Sequence, residues 1–165
     1  MIDLESFIAK RSSEFEDYND YIDYLYDLFC EDWIYEPPEF LRRCVEFDGV
    51  KKTKGKEETF WKIVSTASSK QYGSRASEDR IIHYQRAERI KWAKQIVESF
   101  PDPEIKYWIE YDGRCKRHHL YYRSDYIVVI GEYPNKMVLV TAFYVLPKNR
   151  KYYDDRYIEY KKMPP

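Results

Sequence analysis

The chain has 165 residues, 44% hydrophobic and 35% charged, with a formal net charge of -1. That length suits a single domain able to bury a core without disulfides or metal; Cys30, Cys44 and Cys115 are an odd number without CxxC spacing, which disfavours a disulfide framework and a zinc site. No run of about 18 apolar residues and no basic-then-apolar leader occurs, so neither a membrane span nor export is expected and the expected compartment is the cytoplasm.

The charge is unevenly spread. Residues 1 to 50 hold fourteen acidic and four basic side chains, a net of -10, and residues 51 to 165 carry +9. Residues 1–30 read as an acidic helical leader and residues 31–165 as the main body of one compact unit. From about Glu14 to Trp33, Phe15, Tyr18, Ile22, Leu25, Tyr26 and Phe29 recur at spacings of three and four, which is an amphipathic helix. The prolines of "EPPEF" end it. The stretch "CVEFDGVKKTKGKEETFWKIVS" alternates like edge strands around Gly49 and Gly55. "STASSKQYGSRASED" has little apolar content and reads as an exposed loop of functional length.

Ser77, followed by Glu78 and Asp79, predicts a helix N-terminus, and the helix then runs through "HYQRAERIKWAKQIVE" until Pro101 and Pro103. At about 100° per residue, Ile82, Ile90, Ala93, Ile96 and Val97 form one stripe, and Arg86 and Arg89 fall inside it. Four alternating segments follow: "EIKYWIEY", "CKRHHLYY", "DYIVVIGEY" and "MVLVTAFYV". Asp112-Gly113, Ser124-Asp125 and Pro134-Asn135 between them are turn chemistry, so an antiparallel meander is expected. "RKYYDDRYIEYKK" closes the chain as a short helix.

The expected architecture is α+β, with N-terminal helices packed on a curved antiparallel sheet of four or more strands. Arg86 and Arg89 then lie between helix and sheet, where each guanidinium must meet a carboxylate, a cleft or a ligand. Two guanidiniums are enough to clamp a phosphate; a salt bridge to an acidic side chain of the first helix is the structural alternative. A basic body also suits a polyanionic partner such as RNA. The 18 tyrosines can stack on splayed bases or simply pair across strands.

Metal-independent RNA cleavage needs a base for the 2'-hydroxyl, cations for the phosphorane and an acid for the leaving 5'-oxygen. Residues of these types crowd the second half: Lys62, His83, Arg86, Arg89, Arg117, His118, His119, Thr141 and Arg150. In "CKRHHLYYR", Arg117, His119, Tyr121 and Arg123 share one strand face, and Lys116, His118, Leu120 and Tyr122 share the other. Spacing leaves open which face is the core. No Gly-rich phosphate loop, HExxH or nucleophile elbow is present.

The order "GKEETFWKIVS", "SEDRIIHYQRAERIKWAKQIVES", "RCKRHHLYYRSDYIVVI" and "VLVTAFYV" resembles the barnase, EndoU, colicin and RelE-like (BECR) nucleases over residues 31 to 160. Thr59, Phe60, Trp61, Ile63, Arg86, Ala87, Glu88, Arg89, Ile90, Trp92, Thr141 and Ala142 carry the resemblance. It implies a toxin-like RNase domain of phage or mobile-element type, with a helix-and-sheet cleft, no cofactor, RNA as substrate, and an antitoxin or immunity protein as a further partner. It also implies that Arg86 or Arg89 faces the scissile phosphate with Thr141 opposite. Lys62 stands where the family pattern has histidine, so Lys62, His83, His118 or His119 must supply the base. Otherwise the domain binds RNA or a protein without cleaving. The catalytic candidates are Lys62, Arg86, Arg89, Thr141 and His83, and the substrate-binding candidates are Arg117, His119 and Arg150.

Overall fold

The computed structural model describes residues 2–67 and 80–163. Helix α1 is Tyr18–Cys30, and the Asp17 carboxylate caps it by accepting the Asn19 N–H at 2.7 Å. Phe15 stays outside the helix, against the Tyr21 and Tyr24 rings. Tyr21, Ile22, Leu25 and Phe29 are buried, at roughly 1.5–3 kcal/mol each relative to exposure. A π-helical turn, Glu31–Tyr35, follows before the prolines.

Short strands β1 (Glu39–Phe40), β2 (Arg43–Glu46), β3 (Lys52–Thr53) and β4 (Lys56–Glu57) occupy the stretch expected to form edge strands. The expectation fails at "ETFWKIV", which is helix α2, Glu58–Val64. Five of its seven residues are buried, and a segment buried nearly all round has no periodicity to tell helix from strand. Lys62 therefore sits on the last turn of a helix.

Strand β5 (Ser65–Ala67) pairs with β6 (Arg80–Ile82). The rest of the expected loop, with Ser77, Glu78 and Asp79, lies outside the described residues. The expected long helix is two short ones, α3 (Tyr84–Glu88) and α4 (Trp92–Ser99). Its start moves to Tyr84 because residues 80–82 spend their backbone on β5, and His83 supplies the cap: its Nδ1 accepts the Arg86 N–H at 3.3 Å.

Strands β7 (Ile105–Asp112), β8 (Cys115–Tyr122), β9 (Tyr126–Tyr133) and β10 (Lys136–Tyr144) form the expected antiparallel meander. β2 adds to β10 in parallel and β1 to β2, giving a six-stranded sheet, ordered β1-β2-β10-β9-β8-β7, curled as a half-barrel. A bulge between Leu139 and Thr141 shifts the phase of β10. Leu139 and Ala142 consequently both reach the main core, while Val140 and Phe143 face the other side.

The main core joins α1, α2 and α4 to one sheet face, so the acidic leader helix packs into the same core as the strands. Helix α5 (Pro147–Lys162), longer than expected, lies over the opposite face. No residue of α5 is buried; Tyr153, Tyr157 and Tyr160 rest on a small cluster of Trp108, Tyr121, Ile127, Val129 and Val145. Among the described residues no helix is long and apolar enough to cross a membrane.

Candidate functional site

Pairing register settles which side chains share the face under α5. Trp108, His119, Val129 and Thr141 are successive partners across β7, β8, β9 and β10, and Glu110, Arg117 and Gly131 form the next row. Paired residues point to the same face. With strands about 4.8 Å apart, Thr141 and His119 stand two strands apart on one surface, with Arg117 beside His119.

Arg86 reaches that surface from outside. Its Nη1 donates to the Ser65 carbonyl at 2.9 Å and the Lys62 carbonyl at 3.4 Å, and its guanidinium lies 5.1 Å from the centre of the Phe143 ring. Arg89 goes elsewhere: it donates to the Gln85 carbonyl and lies between Trp92 and Tyr144, at 5.1 and 4.5 Å. Phe143 and Tyr144 are neighbours on one strand and pack in different clusters. The two guanidiniums therefore bracket β10 and do not form one clamp, and only Arg86 joins the face of Thr141 and His119.

Under α5 this face forms a polar cleft of about 410 Å³, lined by Glu110, Arg117, His119, Tyr153 and Arg156 among others. His119 stacks on Trp108, with ring centres 4.8 Å apart and planes 6° apart. Its Nε2 lies 3.0 Å from Glu110 Oε2 and its Nδ1 3.1 Å from the Arg117 carbonyl. Both partners are acceptors, so a neutral ring can donate to only one of them at a time. Burial, the larger effect, holds the His119 pKa below the ordinary histidine value against the pull of Glu110, and such opposed pressures suit a group that exchanges protons. Arg117 pairs with Asp112 at 3.0 Å and Arg156 with Glu110, all four side chains one-third or more exposed; exposed pairs of this kind are worth about 1 kcal/mol or less and can exchange partners. Tyr153 joins the two ends of the face, since Arg86 and Arg156 both favour its phenolate although burial raises its pKa.

The remaining candidates divide. Lys62 is exposed on α2, next to Arg86 through its own carbonyl. His83 is committed to capping α3; burial and Arg86 lower its pKa, so it is a neutral imidazole with its proton on Nε2. Arg150 binds Asp125 at 3.1 Å and the Tyr144 hydroxyl at 3.2 Å, on the Arg89 side. His118 faces the main core, with Tyr107 and Glu132. Glu110 and Arg156 were missed by the sequence reading. Glu110 could have been found by counting register back from His119 through the Asp112-Gly113 turn, but Arg156 required knowing where α5 docks.

No group of three or more His, Cys, Asp or Glu side chains among the described residues is placed to hold a metal ion. Compared with known proteins, the chain matches no family model, no curated protein and no solved structure.

Proposed function

We propose that the chain is a BECR-like endoribonuclease that cleaves RNA without a metal, by attack of the 2'-hydroxyl on the adjacent phosphodiester. The observation that carries this reading is the meeting, between one sheet face and α5, of an imidazole–carboxylate pair, His119–Glu110, with the cations Arg117, Arg156 and Arg86. The cations would hold the charge of the phosphorane. The pair would take the proton of the 2'-hydroxyl, with the Glu110 carboxylate as acceptor, and return a proton to the departing 5'-oxygen. Thr141, on the row of His119, would hydrogen-bond the substrate, and exposed Lys62 would add positive charge at the entrance. Arg89 and His83 then serve the fold of the helices, and Arg150 the docking of α5.

The test is incubation of the full chain with mixed RNA in EDTA, comparing wild type with His119→Ala and Arg86→Ala after circular dichroism shows each folded. Cleavage leaving 2',3'-cyclic phosphate ends, lost by at least a hundredfold in His119→Ala, is expected. Cleavage that is chelator-sensitive, or unaffected by both substitutions, refutes it.

One observation favours a second reading, a nuclease-like protein that binds RNA or a partner without cleaving. His119, Arg117 and Arg156 each already face a carboxylate, so the cleft carries its own counter-charges. Salt-dependent RNA binding with no cleavage over a broad substrate panel would establish that reading.

A further inference from the structure

The two edges of the six-stranded sheet end differently. At one, β1 is only Glu39–Phe40, follows Pro37 and Pro38, and turns into β2 through Leu41 and Arg42, both at positive φ; so short and bent an edge offers little backbone to another chain. At the other, β7 pairs with β8 at eight successive positions without a bulge and contains no proline. Asp112 and Cys115 flank a two-residue turn and exchange backbone hydrogen bonds, so the even-numbered residues of β7 bond β8. The N–H and C=O groups of Tyr107, Ile109 and Tyr111 therefore point away from the sheet, and among the described residues no backbone group meets them. We propose that β7 pairs antiparallel with β7 of a second copy of this chain, about a two-fold axis at Ile109, joining the two sheets into one.

With the axis there, Tyr107 exchanges hydrogen bonds with the partner's Tyr111, and Ile109 with the partner's Ile109, so every outward group of these three residues is satisfied. The charges select this register. In "EIKYWIEYDGR", Glu104 falls opposite the partner's Arg114 and Lys106 opposite the partner's Asp112, while Glu110 meets Trp108. Moving the axis to Trp108 sets Glu104 against Asp112, and moving it to Tyr107 sets Glu104 against Glu110. At Glu110, that residue meets its own copy. Like charges directly opposite destabilise a strand pair, and opposite charges and apolar side chains stabilise it.

The side chains can meet these demands. Lys106 pairs with Asp154 and Asp112 with Arg117 in the single chain, but Lys106 is 37% exposed and Asp112 57%, so both pairs can exchange partners. Tyr111 is 77% exposed and would be covered by the partner's Tyr107. A cavity of about 300 Å³ also lies along this edge, between Trp108, Ile109 and Glu110 of β7 and the overhanging α5, with no β8 residue in its wall. An added strand would cover the apolar surface that Ile109, Tyr160 and Met163 present there.

The experiment is sedimentation equilibrium of the full chain from about 1 to about 200 µM, reading the rise in mass toward twice the 20.2 kDa of one chain. Ile109→Pro removes an N–H that β8 does not use, and proline is tolerated on a free edge. That variant should keep the wild-type circular dichroism and raise the dissociation constant at least tenfold. Lys106→Asp should weaken pairing, and adding Asp112→Lys should restore it, because the exchange puts opposite charges back in register. This rescue decides the matter if Ile109→Pro fails to fold. A chain that stays monomeric throughout, a dimer unmoved by folded Ile109→Pro, or a charge exchange without rescue overturns the proposal. None of these readouts depends on RNA cleavage.

Discussion

His118 and His119 are neighbours on β8 that live in different surroundings. His118, 2% exposed, lies in the main core with Tyr107 Oη 2.7 Å from Nδ1 and Glu132 Oε1 2.8 Å from Nε2. Glu132 accepts, so Nε2 carries the proton, and Tyr107 donates to Nδ1; a neutral ring satisfies both contacts. Burial lowers the His118 pKa against the pull of Glu132, which makes this contact a neutral hydrogen bond and not an ion pair at neutral pH. His119 faces two acceptors, and a neutral ring cannot satisfy both. One strand thus carries a closed hydrogen-bond network on one face and an open one, short of a satisfied proton count, on the other.

Truncating each histidine should separate the two roles. In His118→Ala, Tyr107 loses its acceptor, Glu132 its donor and Phe40 its T-shaped ring contact. A loss of about 2–4 kcal/mol is expected in urea unfolding. In His119→Ala, Glu110 keeps Arg156 and Trp108 while Trp108 loses its stacked ring, so a loss of about 1–2 kcal/mol is expected, with the main effect on RNA. If His119→Ala costs stability as heavily as His118→Ala, the cleft is structural and the contrast between the faces fails.

Acid should probe the closed face next. The folded-state pKa of His118 lies below the unfolded value of about 6.5. As pH falls the unfolded chain takes up the proton first, so this contribution is intact above about pH 6.5 and is lost as pH falls from there through the folded pKa. His83 and His119 shift in the same direction. Urea midpoints measured from pH 8 to 5 should decline on the acid side, and less steeply in His118→Gln. An equal slope in that variant would mean that His118 does not titrate on unfolding as the buried network requires.

The meander was legible in the sequence because each of its strands alternates and each turn has its own chemistry, and the same alternation separated His119 and Arg117 from His118. Two features hid the rest. At α2, burial on nearly all sides erased the helical period. At Arg80–Ile82, pairing with β5 claimed residues whose spacing fits a helix, and no local signal records a long-range partner. The pairing of Arg86 with Arg89 misled for a related reason. Their three-residue spacing puts them on one helical face, but the break between α3 and α4 sends one guanidinium to Phe143 and the other to Tyr144. The bulge at Val140, which turns Thr141 toward the His119 row, is likewise a property of the pairing and is invisible in "VLVTAFYV".

The smallest expected effect concerns whether the open face extends to α2. Lys62 is exposed, so Lys62→Ala should change stability by no more than about 0.5 kcal/mol. If RNA runs from the α5 cleft past Arg86, the lysine neutralises one phosphate, and its loss should reduce the slope of log K against log salt by about 0.7 for a single strand. Arg117→Ala should reduce it by a similar amount from the other end of the face. A slope unchanged in Lys62→Ala but reduced in Arg117→Ala would confine RNA to the side of the sheet that α5 covers. Arg86 would then act in holding α2 and α3 against β10 through the Ser65 and Lys62 carbonyls, and the resemblance at "RAERIKW" would describe a helix–sheet joint.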